Sequence, residues 1–158
     1  MATIIELCKI GEVIAIGGGL DAHQQPERLL YALPHVVDWL ETDLPEYEAD
    51  FHDGKMDPLE QADLLFHDFV SGNDFSFYEK SHSMQPTEPG VWELKTSDLR
   101  LFGWFVQKCV FVIAEIDTAF RCKQHALYPG YRNSVVYRRQ QLQLDEPKFI
   151  TGDYDDVL

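Results

Sequence analysis

The sequence predicts an α+β fold: a small antiparallel β-meander flanked by helices, preceded by an N-terminal hairpin and a helical extension. Three observations carry this. Residues 91–96, 99–106 and 109–115 are β-rich runs joined by the two-residue links Ser97-Asp98 and Gln107-Lys108, and links this short force antiparallel pairing. Helical patterning surrounds them, at residues 58–69 and 131–142. The charge is also divided. Residues 1–90 hold 18 Asp and Glu against 4 Lys and Arg, and residues 91–158 hold 9 against 9, so the net charge of −14 belongs to the first part.

Taken in order, residues 3–7 and 12–16 read as two strands around a Lys9-Ile10-Gly11 turn. Gly17-Gly18-Gly19 stops the second. Pro26 suits a helix start, and Leu29, Leu33, Val36, Val37 and Leu40 share one helical face. Pro34 interrupts that pattern, which predicts a kink or two short helices. Residues 41–55 read as an acidic loop. Asp57, Pro58 and Glu60 form a helix start. Leu59, Ala62, Leu65, Phe66 and Phe69 follow as its buried stripe, and Gly72 as its end. Residues 71–90 read as a long connection and a module boundary. It separates an acidic part, 1–80, from the meander and its helix, 91–158, unless the two are fused into one domain. In the meander, Trp92, Leu94, Phe102, Trp104, Phe111 and Ile113 supply cross-strand packing. Helices are expected at 119–127 and, after Tyr128-Pro129-Gly130, at 131–142. The tail, 145–158, is expected to lie across the surface.

Composition bounds the function. A chain of 158 residues, 45% hydrophobic and 13% aromatic, supports a packed core. The longest apolar run, 109–114, is too short to span a bilayer, so no membrane contact is expected. Residues 1–11 contain Glu6 and one Lys9, which is not a signal-peptide layout. Cys8, Cys109 and Cys122 share no metal-ligand spacing, so reduced thiols in a cytoplasmic protein are expected. The acidic total argues against non-specific coating of nucleic acid.

The chemistry is sought in the segment 120–140, where Arg121, Lys123, Arg132, Arg138 and Arg139 occur with no acid. Preceded by W-E-L-K (92–95), R-L-F-G-W-F (100–105) and C-V-F-V-I (109–113), it resembles the RelE/HigB-like toxin superfamily, in particular its phage-associated branch, over about residues 91–142. The resemblance implies a RelE-like sheet and metal-independent cleavage of mRNA on the ribosome. That reaction removes a proton from a 2′-hydroxyl, adds charge to a phosphate and protonates a leaving 5′-oxygen. The matching positions are Arg100 and Arg121 for phosphate stabilisation, and Lys123 or His125 as proton acceptor. Lys95, Tyr131, Tyr137, Arg138 and Arg139 would bind substrate. No cofactor and no metal are called for. The implied partners are a helix-turn-helix antitoxin and RNA or the ribosome, with a homo-oligomer left open. Family members are shorter and basic, whereas this chain carries an acidic extension. Either the extension covers the basic face as an antitoxin does, or the scaffold is a non-enzymatic acidic interaction protein that binds a protein partner or mimics nucleic acid.

Other groupings read as structural. Glu60, Asp63 and His67 share a helix face opposite the hydrophobic stripe, where solvated charge belongs. Residues 17–22 satisfy G-x-G-x-x-A, but Pro26 breaks the helix that a dinucleotide site requires. The six histidines are scattered in sequence, and no Ser-His-Asp or Cys-His grouping follows from spacing.

Overall fold

The structure, a computed structural model, describes residues 1–47, 56–73, 81–83 and 90–158. The α+β class is as expected, but the sheet is mixed, not purely antiparallel. Its six strands lie in the order β1-β2-β6-β5-β4-β3. They are β1 (Ile14–Ile16), β2 (Leu29–Ala32), β3 (Ser81–Ser83), β4 (Trp92–Lys95), β5 (Leu99–Gln107) and β6 (Val110–Thr118). The meander β4-β5-β6 is antiparallel throughout. β2 runs parallel to β6, pairing Leu29 with Val110 and Ala32 with Ile113. Strands from both halves of the chain therefore share one sheet.

Two expectations near the N-terminus are corrected. Residues 3–7 form no strand: α1 (Ile4–Lys9) starts there, because Thr3 and Glu6 make a reciprocal capping box. Residues 29–32 are no helix. They are β2, and α2 (Pro34–Thr42) begins only at Pro34, which occupies the first helical position. A proline there loses no hydrogen bond, whereas inside a longer helix it would clash with the preceding turn. A short 3-10 turn, Leu44–Glu46, follows α2.

α3 (Pro58–Val70) buries Ala62, Leu65, Phe66, Phe69 and Val70, while Leu59 is exposed. Phe69 meets Phe105 and Phe111 on one face of the sheet. Arg28 ties the entry of β2 to the end of this helix, donating to the carbonyls of Phe69 at 3.1 Å and Asn73 at 2.9 Å. At the other end, the Gln61 amide donates to Asp98 Oδ2 at 2.7 Å and its carbonyl accepts from Thr96 at 2.6 Å, fixing α3 to the β4–β5 turn. Of the acidic loop expected at 41–55, residues 41–42 end α2 and 44–46 form the 3-10 turn, while 48–55 lie outside the described residues; of the long connection expected at 71–90, residues 81–83 form β3, while 74–80 and 84–89 lie outside the described residues.

The opposite sheet face carries α4 (Ala119–Gln124) and α5 (Tyr128–Gln141). Tyr131 of α5 stacks on Phe102 with ring centroids 5.1 Å apart. The β5–β6 register shifts between Phe102, opposite Glu115, and Gly103, opposite Ile113. The extra residue is Ala114, a bulge that carries Glu115 and Asp117 onto the α5 face. Gly103 is required here: a Cβ would sit 1.9 Å from the Val112 carbonyl oxygen. The tail is more than a surface strap. It ends in α6 (Tyr154–Val157), buries Val157, and accepts a hydrogen bond on the Val157 carbonyl from the amide of Cys109 at 2.8 Å. Cys109 holds φ at +67° in the hairpin tip. Among the described residues, no helix is long and apolar enough to cross a membrane.

Candidate functional site

β2 and β6 run the same way, so both strands end at one edge of the sheet. β2 hands over to α2, with His35 in its first turn, and β6 hands over to α4, with Arg121 in its first turn. Between them lies an open cleft of about 410 Å³ lined by His35, Trp39, Asp43, Tyr47, Glu115, Ile116, Asp117, Arg121 and Tyr131.

Two carboxylates form its floor. Asp117, 4% exposed, accepts from Tyr131 Oη at 2.6 Å, from its neighbour's amide (Thr118 N) at 2.7 Å, and from Arg121 Nε on both oxygens at 3.1 and 3.2 Å. Glu115, 9% exposed, accepts from Ser134 Oγ at 2.7 Å and from Arg138 Nε at 2.5 Å. A buried charge persists only when it is paired and hydrogen-bonded, and both carboxylates meet that condition. Burial pushes the Glu115 carboxyl up, but His35, Ser134 and Arg138 together hold it below its ordinary value of 4.5.

His35 Nε2 stands 3.5 Å from Glu115 Oε2, without the in-line geometry of a hydrogen bond. A neutral imidazole with its proton on Nε2 keeps a lone pair on Nδ1. Arg121 is gripped through Nε alone. Among the described residues its two terminal guanidinium nitrogens have no hydrogen-bond partner, and the side chain is 50% exposed. The Asp117 carboxylate raises the Arg121 pKa further, so the guanidinium stays charged. Burial, followed by the Asp117 bond, raises the Tyr131 hydroxyl, which keeps its proton and acts as an anchor.

The structure brings together only part of the residue set read from the sequence. Arg121 and Tyr131 meet at Asp117, and Arg138 approaches through Glu115. Arg100 shares their sheet face, opposite Asp117, but is 8% exposed. Its Nη1 donates to the carbonyls of Thr96 and Leu99 at 2.6 and 2.8 Å, and its Nε lies 3.4 Å from Glu93. Lys95 lines a different pocket, beside Met56 and Gln61. Lys123 and His125 are exposed on or just beyond α4, outside the cleft lining. Tyr137 is 61% exposed, and Arg139 is buried with its guanidinium 3.6 Å over the Phe149 ring. Sequence reasoning missed His35, Glu115 and Asp117. The one available signal was the pair of acids two apart inside an otherwise apolar strand, V-F-V-I-A-E-I-D-T.

Cys122 is buried and pushed up to about 12, by burial first and then the Asp117 charge, so it is an inert thiol. Among the described residues no cluster of His, Cys, Asp and Glu is arranged to hold a metal ion. His67 instead pairs through Nδ1 with the Gly18 carbonyl at 2.9 Å. No protein-family model matches the chain, and no curated protein and no solved structure is similar enough to it to carry an argument.

Proposed function

We propose that the cleft binds a phosphodiester and that the protein cleaves single-stranded RNA without a metal, by the chemistry that the RelE/HigB resemblance implies for mRNA on the ribosome. One observation carries the reading. A buried carboxylate holds Arg121 by Nε and leaves the rest of its fork free, beside an imidazole backed by a second carboxylate. A guanidinium fork matches two phosphate oxygens. A histidine backed by a carboxylate on one nitrogen offers the other as general base.

In this scheme His35 Nδ1 takes the proton of the 2′-hydroxyl. The 2′-oxygen attacks phosphorus and the P–O5′ bond breaks. Water in the open cleft protonates the departing 5′-oxygen. The products are a 2′,3′-cyclic phosphate and a 5′-hydroxyl. Arg121 stabilises the charge that accumulates on the phosphoryl oxygens.

The test is incubation of purified protein with single-stranded RNA in chelator, scored for cyclic-phosphate ends. Arg121→Ala should slow cleavage by about 10²–10³-fold, and His35→Ala by about 10²–10⁴-fold. No cleavage by the parent protein, or cleavage indifferent to Arg121, would overturn the proposal.

A second reading, an acidic interaction protein without catalysis, is favoured by a separate observation. Arg100 and Arg138 are each paired to a carboxylate on a chain of net charge −14, so no broad cationic surface for RNA forms from them. Harmless expression and capture of a basic protein without RNA would support it.

A further inference from the structure

We propose that Trp39 and Tyr47 form a stacking platform for the base next to the scissile phosphate, and that Asp43 selects guanine there. This rests on the phosphodiester reading of the same cleft and adds what the base would be.

Trp39 and Tyr47 are stacked, with ring centroids 5.7 Å apart and planes 24° from parallel. Both line the cleft that holds Arg121 and His35. Tyr47 is 36% exposed, and Trp39 is half-buried, with its side chain packed against the edge of the core. Tyr47 and Arg121 line the same cleft. Flat aromatic faces beside a cationic group are the elements that hold single-stranded RNA, because every base has a π-face and every nucleotide a phosphate.

Stacking alone does not choose between bases. Asp43 supplies the choice. It stands one helical turn after Trp39, its amide bonded to the Trp39 carbonyl at 2.9 Å. Its Oδ1 accepts from Thr42 Oγ1 at 2.8 Å, and among the described residues Oδ2 has no partner. A carboxylate has two acceptor oxygens and no donor. Guanine alone among the four RNA bases presents two adjacent N–H donors, N1 and N2, on its Watson–Crick edge. Adenine, cytosine and uracil each offer one donor beside an acceptor, which a carboxylate oxygen repels.

Trp39 reports on its own site. The chain has three tryptophans, and the other two, Trp92 and Trp104, are 2% and 0% exposed. Titrating the full-length protein with guanosine, GMP, AMP, CMP and UMP should quench Trp39 fluorescence, with GMP bound at least about tenfold more tightly than the other nucleotides. Asp43→Asn should remove most of that preference, and Tyr47→Ala should weaken every nucleotide. Arg121→Ala should weaken GMP while sparing guanosine. Equal affinity for the four nucleotides, or a preference unchanged in Asp43→Asn, would overturn the proposal. The two proposals fail separately. Guanosine binding without RNA cleavage sinks the ribonuclease and leaves the subsite, whereas cleavage with no preference for guanine sinks the subsite alone.

Discussion

Arg100→Ala should destabilise the protein rather than disable a free phosphate-binding group. The side chain is 8% exposed, two carbonyls accept from its Nη1, and its Nε faces Glu93, which is 3% exposed. Truncation takes one ionic partner from the buried Glu93 carboxylate and leaves the Thr96 and Leu99 carbonyls without their donor. Removing one partner of a buried ion pair costs about 3–5 kcal/mol. For a chain of this size each kcal/mol moves the melting temperature by about 2–4 °C, so a fall of about 6–20 °C is expected. Thermal unfolding followed by circular dichroism measures it. The double variant Glu93→Gln/Arg100→Met removes both charges and should recover most of the loss, because a neutral pair needs no ionic partner. If Arg100→Ala melts within about 2 °C of the parent, or if the double variant melts no higher than the single, the structural role assigned to this arginine is wrong.

Two further predictions concern the paired strands β5 and β6. The Glu115 carboxyl is held below 4.5 in the fold, so its contribution to stability is present above that pH and is lost as pH falls through the lowered value. The melting-temperature gap between the parent and Glu115→Gln should therefore be full at pH 7 and close progressively below pH 4.5; a gap independent of pH would contradict the assignment. Gly103→Ala places a methyl group 1.9 Å from the Val112 carbonyl oxygen, a backbone atom that cannot rotate away. It should cost about 3 kcal/mol or more, and a denaturant midpoint equal to the parent's would refute the packing described for that bulge.

The meander was legible because its signal is local. Trp92, Leu94, Phe102, Trp104 and Phe111 recur at strand spacing between links too short for anything but hairpins. β2 was not legible, because Leu29, Leu33 and Val36 fit a helical face as well as a strand running into a helix. Pro34 was the residue that decided between them. The parallel pairing of β2 with β6 left no local trace, since it joins residues about eighty apart and depends on the whole sheet. The same limit hid the cleft. Arg121 and Tyr131 stand out by residue type, but their common partner Asp117 reads in the sequence as an acid at the end of an apolar strand. Arg100 stands out for the same reason, and only the folded contacts show that it meets Glu93 and two carbonyls instead of solvent.

That distant pairing governs when the cleft comes together. His35 is made early and Arg121 late, and nothing holds them near each other until the sheet closes. A nascent chain therefore has no complete cleft until the ribosome has released residues beyond Tyr131, whose hydroxyl fixes the floor beneath the arginine. A fragment that keeps only the meander and its last helix has the arginine without the histidine. Complementation by the two halves supplied as separate polypeptides would have to rebuild the parallel seam first.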